Sequence, residues 1–390
     1  MRLYVHVPFC RVKCVYCAFY SIPLSGKEEA PALMKAYIAG VIKEIRLWGE
    51  RLGPCGVESI FFGGGTPSLL PASALEAILA QIKKTFRVQP GAEISAEANP
   101  DSALAEGWLF SAKDAGINRL SLGVQSFDDA DLIRLGRPHD ARIAEIAFTT
   151  ARTAGFTNIS LDFMWGLPGT RGRAQSQKKW QDGLRRAFEL RPEHISAYGL
   201  TLEPDSPLKG LVDKKELSLP TERELSSMYL SGADLLEASG YMQYEISNFA
   251  RMGFECRHNI GYWRGDEYLG FGPAATSTLA DRRWTNPANL TEWAQQVEEQ
   301  RVATNAEVLD APTRLKECIM LRLRMSRGLS LADYQRLSGR PFQSDFANLL
   351  PLLQKNGLGS VRNGYFRLSR NGMLVSDTIL AHFFETLDSL

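Results

Sequence analysis

The feature that most restricts the fold of this chain is the alternation of short apolar segments with longer amphipathic ones across residues 1–240. Short apolar segments bounded by turn residues are typical of parallel strands that are buried on both faces. Six strands are too few to close a barrel as eight do. The pattern therefore predicts an α/β fold, a partial (β/α)6 TIM-like barrel with a lateral opening. The predicted strands are Leu3–Pro8, Val57–Phe62, Glu93–Ala98, Arg119–Gln125, Asn158–Trp165 and His194–Leu200.

An amphipathic segment of helical length follows each predicted strand. Glycine directly after a helix is a common stop signal, and glycine follows Ala115, Ala154 and Ser239. Consecutive strand–helix units make right-handed crossovers, so the strands are expected to run parallel. The predicted helices are Leu33–Leu52, Ala72–Phe86, Leu104–Ala115, Arg142–Ala154, Ala174–Glu189 and Thr221–Ser239.

A polar or glycine-rich motif follows five successive predicted strands. Functional residues of barrels of this kind lie at the C-terminal ends of the strands. We therefore expect one ligand site at that end of the barrel. The motifs are Cys10–Cys17, Gly63–Pro67, Glu97–Pro100, Gln125–Phe127, and Asp162 with Gly166–Pro168.

Three cysteines lie within one short loop after the first predicted strand, with the spacing C-x3-C-x2-C at Cys10, Cys14 and Cys17. Three thiolates can hold three irons of a [4Fe–4S] cluster and leave the fourth iron without a protein ligand. S-adenosylmethionine (SAM) can chelate that iron, and one-electron reduction can then split its sulfonium to a 5′-deoxyadenosyl radical. Tyr16 is a fitting neighbour for the adenine. The spacing is typical of radical SAM proteins.

Two other interpretations of these cysteines are open. Zinc favours four nitrogen or sulfur ligands, and His6 could supply the fourth. Alternatively, the three thiols are buried and have only a structural role.

The glycines and carboxylates after the next strands are candidate ligand contacts. Gly63, Gly64 and Gly65 have no Cβ atom, so their backbone can approach a methionine moiety closely, although such a triplet is also a common turn. Glu97 and Asp162 end apolar strands and need hydrogen-bond donors. Those donors are either a ligand's hydroxyl and ammonium groups or a barrel arginine such as Arg119 or Arg137. Gln125 offers both a donor and an acceptor to a ligand or to the backbone.

The composition is that of a water-soluble globular protein, with 44% hydrophobic and 23% charged residues. A net charge of +1 gives no general attraction to nucleic acid. No apolar stretch approaches the roughly 18 residues that span a bilayer, and the N-terminus has no signal-peptide pattern. Six cysteines do not form a disulfide framework here, and an oxygen-sensitive cluster needs a reducing compartment. We expect a cytoplasmic protein.

Three domains are predicted: the barrel at 1–240, a connector at 241–311, and a winged-helix-like domain at 312–390. The last contains predicted helices Thr313–Met325, Leu331–Leu337 and Phe342–Asn356, and a hairpin whose Asn363-Gly364 suits a type I′ turn. Its basic residues alternate with apolar ones at helical spacing, which favours a solvated helix face over a nucleic-acid site. They are Arg314, Lys316, Arg322, Arg324 and Arg327.

The connector contains the run Arg257-His258-Asn259-Ile-Gly-Tyr262-Trp263. Histidine is a common axial ligand of heme iron, and aromatic rings pack well on a porphyrin. His258 is therefore a heme-binding candidate, although a lone histidine in a loop is usually structural. Cys256 is a weaker candidate and fits better as a small buried hydrophobe.

Together, the motifs resemble those of the HemN/HemW branch of the radical SAM superfamily, in order and over nearly the whole chain. Beyond the cysteines they are GGGTP, EANP, GVQSF, LGRPH, LDFMWGLPGT and HNIGYW. Oxygen-independent coproporphyrinogen III dehydrogenases of this branch have a further cysteine two positions after the third. This chain has Phe19 there, and it begins nine residues before Cys10, without the longer N-terminal extension of those enzymes. Both differences, with the HNxxYW run, are similar to the heme-chaperone side of the branch.

The resemblance implies residue roles. Cys10, Cys14 and Cys17 would hold the cluster, and Tyr4, Gly64 and Glu97 would contact its SAM. A second SAM is implied at Gly65, Thr66, Gln125, Arg137, Asp162 and Gly199. His258 would serve heme. No catalytic residue is assigned.

The implied function is a heme chaperone that passes heme to an acceptor hemoprotein, for example one of the respiratory chain. Peripheral membrane association and a homodimer are further expectations, and no nucleic-acid partner is expected. Dehydrogenase activity is disfavoured by Phe19, and the sequence does not decide whether SAM is cleaved. The alternatives are that dehydrogenase, a radical SAM oxidative decarboxylase, and more remotely a nucleic-acid-binding or RNA-modifying protein.

Overall fold

The computed structural model describes residues 1–170 and 173–389, and a curved parallel sheet forms its centre. The sheet's six central strands lie side by side in chain order, each parallel to its neighbours. Parallel neighbours need crossover connections, and a helix covers each one. This arrangement confirms the predicted partial TIM-like barrel. The strands are β1 Arg2–Val7, β2 Gly56–Gly64, β3 Arg87–Ala98, β4 Arg119–Gln125, β5 Ile159–Trp165 and β6 His194–Gly199.

The helices that follow these strands agree with the predicted ones to within a few residues, with one exception. The predicted helix Leu104–Ala115 begins only at Trp108, because Gly107 has a left-handed φ of 70° and interrupts the helical backbone. The six covering helices are Ala30–Leu52, Ala72–Thr85, Trp108–Ala115, Ala141–Thr153, Gln177–Leu190 and Glu222–Ala238. Shorter helices occur at Pro67–Leu69, Pro100–Ala103, Ala105–Gly107, Asp129–Leu135 and Pro207–Asp213.

The connector segment, residues 241–311, extends the sheet at both edges. Its strand β8, Asn248–Ala250, pairs antiparallel with β6, and its strand β9, Tyr268–Phe271, pairs parallel with β1. Phe249, Phe271 and Trp293 belong to the same apolar core as the barrel. The segment's other strands are β7 Met242–Gln243, β10 Thr276–Leu279, β11 Arg282–Thr285 and β12 Glu307–Val308, and its helices are Arg257–Arg264 and Leu290–Glu298.

The two faces of the barrel strands differ in polarity. On β1, Leu3, Val5 and Val7 are fully buried in the core beneath the helices, whereas Tyr4 and His6 alternate with them and face the interior. The interior therefore holds polar and titratable side chains, and these position the site described below.

Residues after 310 form a second apolar core. Phe342, Phe346 and Phe383 pack on one another, and Phe346 interrupts the predicted helix Phe342–Asn356, which is two helices in the structure. The hairpin turn has φ of 49° at Asn363 and 78° at Gly364, as the predicted type I′ turn requires. Residue 390, the predicted end of this domain, lies outside the described residues. The elements are Ala311–Leu323, β13 Leu329–Ser330, Leu331–Ser338, Phe342–Asp345, Leu349–Lys355, β14 Gly359–Arg362, β15 Tyr365–Leu368, Arg370–Leu374 and Ser376–Asp388.

Within the ranges described, none of the helices combines the length and the apolarity that crossing a membrane requires.

Candidate cofactor site

The cysteine loop is joined to the loop after β2 at the C-terminal ends of the barrel strands. The backbone N–H of Gly65 donates to the Val7 carbonyl at 2.8 Å, and that of Thr66 donates to the Phe9 carbonyl at 2.7 Å. A Cβ atom on Gly65 would lie 2.6 Å from the carbonyl oxygen of Phe9, so only glycine fits this contact. The sequence-predicted cysteine and glycine motifs therefore form one continuous surface.

The three cysteines of the loop are all free thiols. Cys14 is buried, whereas Cys10 and Cys17 are half-buried. Burial raises the pKa of the Cys10 and Cys17 thiols, and the Thr66 hydroxyl, which donates to Cys10 Sγ at 3.5 Å, acts in the opposite direction. Such thiols are protonated at neutral pH until a metal displaces their protons. Phe19 is 69% exposed at the edge of the loop.

These residues fit a [4Fe–4S] cluster better than they fit zinc. In a cluster each thiolate binds a different iron, so the sulfurs need not converge on one point. Across residues 1–170 and 173–389, no three histidine, cysteine or acidic side chains converge on a single ion position. His6, the fourth ligand of the zinc alternative, is 5% exposed and hydrogen-bonded at both ring nitrogens, by the Tyr4 hydroxyl at 3.0 Å and by the Tyr20 carbonyl at 3.1 Å.

Gly64 and Glu97 meet beside the cysteine loop. The backbone N–H of Gly64 donates to a carboxylate oxygen of Glu97 at 3.1 Å. Gly64 has a φ of 106°, and a Cβ atom there would lie 2.4 Å from the His6 ring, so the position requires glycine. Burial and the nearby Asp162 raise the pKa of Glu97 to about 7. The carboxyl can therefore change its charge near neutral pH as a cation approaches.

Asp162 lies on β5 and is held by two hydroxyls. Ser121 donates to its two oxygens at 2.8 and 3.1 Å, and Ser160 donates at 2.9 Å. The hydrogen-bond partners of Asp162 are thus serine hydroxyls and not Arg119 or Arg137, the arginines of the predicted alternative. The serines lie on the interior faces of β4 and β5, a position that the alternation along each strand could have indicated.

Arg137 lies in the loop after helix Asp129–Leu135 and reaches the cysteine loop. Its Nη1 donates to Cys14 Sγ at 3.4 Å, and its Nη2 donates to Asn99 Oδ1 at 2.6 Å and to the Gly123 carbonyl at 2.9 Å. Asn99 was not among the predicted site residues, although its place in the Glu97–Pro100 motif was a usable signal.

The other predicted SAM positions surround the same end of the barrel. Gln125 ends β4 with a left-handed φ of 66°, and its Nε2 lies 3.0 Å from an ideal Cβ position on Gly123. Gly199 ends β6 under the Trp165 ring, where a Cβ atom would approach to 2.9 Å. Tyr4 lies deeper and stacks on Phe61 with ring centroids 6.3 Å apart.

His258 packs on Phe61, the residue on which the Tyr4 ring stacks, with the Phe61 and His258 ring centroids 5.2 Å apart, and it lies in a helix, so its predicted loop placement is wrong. It is in the helix Arg257–Arg264 and is 1% exposed. Its Nδ1 bonds the Ser59 hydroxyl at 2.9 Å, and its Nε2 bonds the Tyr262 hydroxyl at 3.0 Å. Ser59 precedes Gly64 by five residues on β2, about 16 Å at 3.3 Å per residue. The structure therefore brings His258 to the N-terminal ends of the strands, away from the cysteines.

The environment of His258 keeps it neutral. Burial lowers its pKa to about 3, and the positive charges of Arg2 and Arg119 add to this effect. The carboxylate of Glu93 accepts the backbone N–H groups of Arg257 and His258 at 3.0 and 2.9 Å, which stabilises the N-terminus of the helix.

Most of the basic residues predicted on the C-terminal domain make contacts within the protein. Lys316 pairs with Asp388 and Arg324 with Asp377. Arg322 donates to the carbonyl of Arg264 at 2.9 Å, which links the domain to the helix that contains His258. These contacts reduce the free positive charge that nucleic-acid binding would use.

Known proteins resemble this chain along its whole length. The family model of the radical SAM superfamily matches residues 4–174, and that of the HemN C-terminal domain matches residues 309–375. The heme chaperone HemW of Bacillus subtilis is 32% identical over 98% of this chain and 99% of its own length. The heme chaperone HemW of Synechocystis is 34% identical over 91% of this chain and 84% of its own length.

A solved structure also matches. Coproporphyrinogen III oxidase (HemN) from Escherichia coli, described as a radical SAM enzyme, superposes with a TM-score of 0.80 at 25% identity. The match covers 98% of this chain and 89% of that protein.

Proposed function

Since this chain belongs to the HemW family of heme chaperones within the radical SAM superfamily, we propose that it binds heme and delivers it to an acceptor hemoprotein. The observation that carries the proposal is the similarity to a heme chaperone from end to end, at 32% identity over 98% of the chain. The exposed Phe19, at the position of a further dehydrogenase cysteine, supports the chaperone over the dehydrogenase.

Membership of the superfamily implies a [4Fe–4S] cluster and SAM, and we assign the cluster to Cys10, Cys14 and Cys17. When bound and reduced, the cluster would supply one electron for the reductive cleavage of SAM. The chain's own contribution begins with binding: the Gly64–Glu97 contact presents a carboxylate to a ligand ammonium group. Arg137 and Thr66 direct hydrogen-bond donors at the cysteine sulfurs, and the rings of Tyr4 and Phe61 stack on each other on the neighbouring strands β1 and β2.

The finer assignments are part of the same proposal. Gly65, Thr66, Gln125, Arg137, Asp162 and Gly199 are the positions for a second SAM. We also propose a cytoplasmic location, association with the surface of a membrane, a homodimer and an acceptor in the respiratory chain.

His258 as a heme ligand requires a local rearrangement. Both ring nitrogens are hydrogen-bonded, so an iron can bind Nε2 only after the Tyr262 contact breaks. Heme binding through His258 would therefore be coupled to movement of helix Arg257–Arg264, away from Ser59 and Phe61.

The proposal is tested by titrating heme into the anaerobically reconstituted protein and then adding an apo-hemoprotein. We expect a Soret band whose position differs from that of free heme, and its transfer to the acceptor. Heme binding no tighter than to albumin, or no transfer, would contradict the proposal. His258→Ala is the test variant and should weaken the Soret band. His139→Ala is its matched control, because His139 is also buried but belongs to the LGRPH motif.

A second candidate is the porphyrinogen decarboxylase, favoured by the structural match to HemN at a TM-score of 0.80. Its test is release of CO2 and 5′-deoxyadenosine from coproporphyrinogen III and SAM under reducing conditions. Product formation that is lost when Cys10, Cys14 or Cys17 is replaced by alanine would establish an enzyme. We expect no product.

A further inference from the structure

A hydrogen-bond network connects two of the three cysteine sulfurs. Arg137 Nη1 donates to Cys14 Sγ at 3.4 Å, and its Nη2 donates to Asn99 Oδ1 at 2.6 Å. The amide nitrogen of Asn99 donates to Thr66 Oγ1 at 3.2 Å, and Thr66 Oγ1 donates to Cys10 Sγ at 3.5 Å. Donors from one connected network therefore reach both sulfurs.

The network holds the guanidinium of Arg137 in place from several sides. Its Nη2 also donates to the carbonyl of Gly123 at 2.9 Å, so β4, the end of β3 and the cysteine loop all contact this one group. The amide nitrogen of Asn99 is engaged by Thr66, so its oxygen is the atom presented to Arg137. A side chain on Gly123 would begin 3.3 Å from Nη2, which explains a small residue there.

A guanidinium in this position affects a cluster electrostatically. Reduction adds one negative charge to the cluster, and that charge spreads onto the cysteine sulfurs. A fixed positive charge and hydrogen-bond donors at those sulfurs stabilise the reduced form more than the oxidised form. Half-burial of Arg137 limits the screening of its charge by water.

We propose that Arg137 raises the reduction potential of the [4Fe–4S] cluster through Cys14, and that Asn99 and Thr66 extend the effect to Cys10. The step is the transfer of one electron from a low-potential donor to the 2+ cluster, which becomes 1+, and no bond or proton changes place. Arg137 acts as a positioning residue, a role different from the SAM contact that the family resemblance implies. The inference rests on the cluster assignment and not on heme delivery.

The test is redox titration of the reconstituted protein without SAM or heme, followed by EPR of the reduced cluster. In Arg137→Met we expect the ratio of reduced to oxidised cluster at a given potential to fall at least tenfold, about 59 mV for a one-electron couple. Arg137→Lys keeps the positive charge but loses the planar set of guanidinium donors, so a smaller fall in this ratio is expected. Arg134→Met is the matched control, because Arg134 is nearby and pairs with Asp131.

Each possible result of the redox titration either supports or overturns the inference. A midpoint potential of Arg137→Met equal to that of the wild type, at equal iron content, would overturn the inference. If Arg137→Met assembles no cluster, Arg137→Gln decides instead: it removes the positive charge beside Cys14 but keeps a polar side chain, and an unchanged potential would overturn the inference. A wild-type protein that binds no iron would overturn the cluster assignment as well, whereas heme transfer is measured separately.

Discussion

Gly261 lies directly against the guanidinium of Arg2, and a Cβ atom on Gly261 would be 1.5 Å from Arg2 Nε. Arg2 is 6% exposed and pairs with Glu58 at 3.1 Å and with Asp266 at 2.9 Å. The glycine in the HNIGYW run is thus required by an arginine on the first strand. Gly261 and His258 of this run therefore pack against barrel strands, independently of any role toward heme.

Gly261→Ala is expected to lower the free energy of unfolding by about 1–3 kcal/mol, because the new methyl group displaces a buried, paired arginine. Gly183→Ala is the control, since the Cβ position of Gly183 in helix Gln177–Leu190 has nothing within 4 Å. That variant should be neutral or stabilising by up to about 1 kcal/mol. Urea denaturation followed by circular dichroism checks both, and equal stabilities would refute the packing argument.

SAM affinity should depend on pH through Glu97, given its proposed role toward the ligand ammonium. Its pKa is raised to about 7, so the carboxyl is mainly protonated below that pH and attracts a cation poorly. We expect the Kd for SAM to rise by up to about tenfold for each pH unit below 7. Anaerobic calorimetry between pH 5.5 and 8 measures this.

Asp162→Asn should move that pH dependence to lower pH, because it removes the carboxylate that helps raise the pKa of Glu97. Glu97→Gln should weaken binding and make it independent of pH in this range. A wild-type affinity that stays constant from pH 6 to 8 would show that Glu97 does not carry the ammonium contact.

Glu44 should make folding stability fall as pH rises. It is fully buried and accepts hydrogen bonds from Gly272 N–H at 2.8 Å, Asn286 at 2.7 Å and Trp293 at 3.2 Å. Burial raises its pKa to about 7. A raised carboxyl pKa favours the protonated folded protein, so this contribution is complete below the unfolded pKa and is lost as pH rises through 7.

The loss from Glu44 amounts to at most about 3 kcal/mol by the size of the pKa shift. Glu44→Gln should therefore lose less stability between pH 5 and 8 than the wild type does. Glu97 and Glu245 have pKa values raised in the same direction, so part of the slope should remain. Thermal unfolding at both pH values gives the result, with Glu50→Gln, an exposed carboxyl of the same helix, as the control.

Tyr262→Phe separates a ligand role of His258 from a structural one. The change removes the hydroxyl that occupies His258 Nε2 and should cost about 1 kcal/mol of stability. If His258 binds heme iron, the freed nitrogen should strengthen the Soret band at a given heme concentration. Heme titration of Tyr262→Phe and of Tyr268→Phe, whose ring packs against Tyr262, makes the comparison. A weaker band in Tyr262→Phe alone would favour heme contact by the tyrosine itself.

Local sequence patterns were sufficient to predict the barrel and the polar motifs at the C-terminal ends of its strands. Strand bounds such as Arg119–Gln125 were predicted to the residue, since a buried parallel strand is a short apolar run between turn signals. The cysteine spacing and the polar motif after each strand were also readable, because the C-terminal ends of parallel strands meet at one edge. Gly64 and Glu97 were therefore predicted at this edge, and the hydrogen bond between them is located there.

The tertiary structure decided what depends on residues far apart in the chain. The helical, buried state of His258 comes from Ser59 and Phe61, about 200 residues earlier, and no local pattern reports such a contact. Likewise, β9 pairs with β1 across more than 260 residues, and Arg137 reaches Cys14 across 123 residues. The sequence by itself determined which residues end each strand, because that information is periodic and local. Which of those residues touch was decided by the closing of the barrel, because hydrogen bonds and burial depend on distance in space and not on separation along the chain.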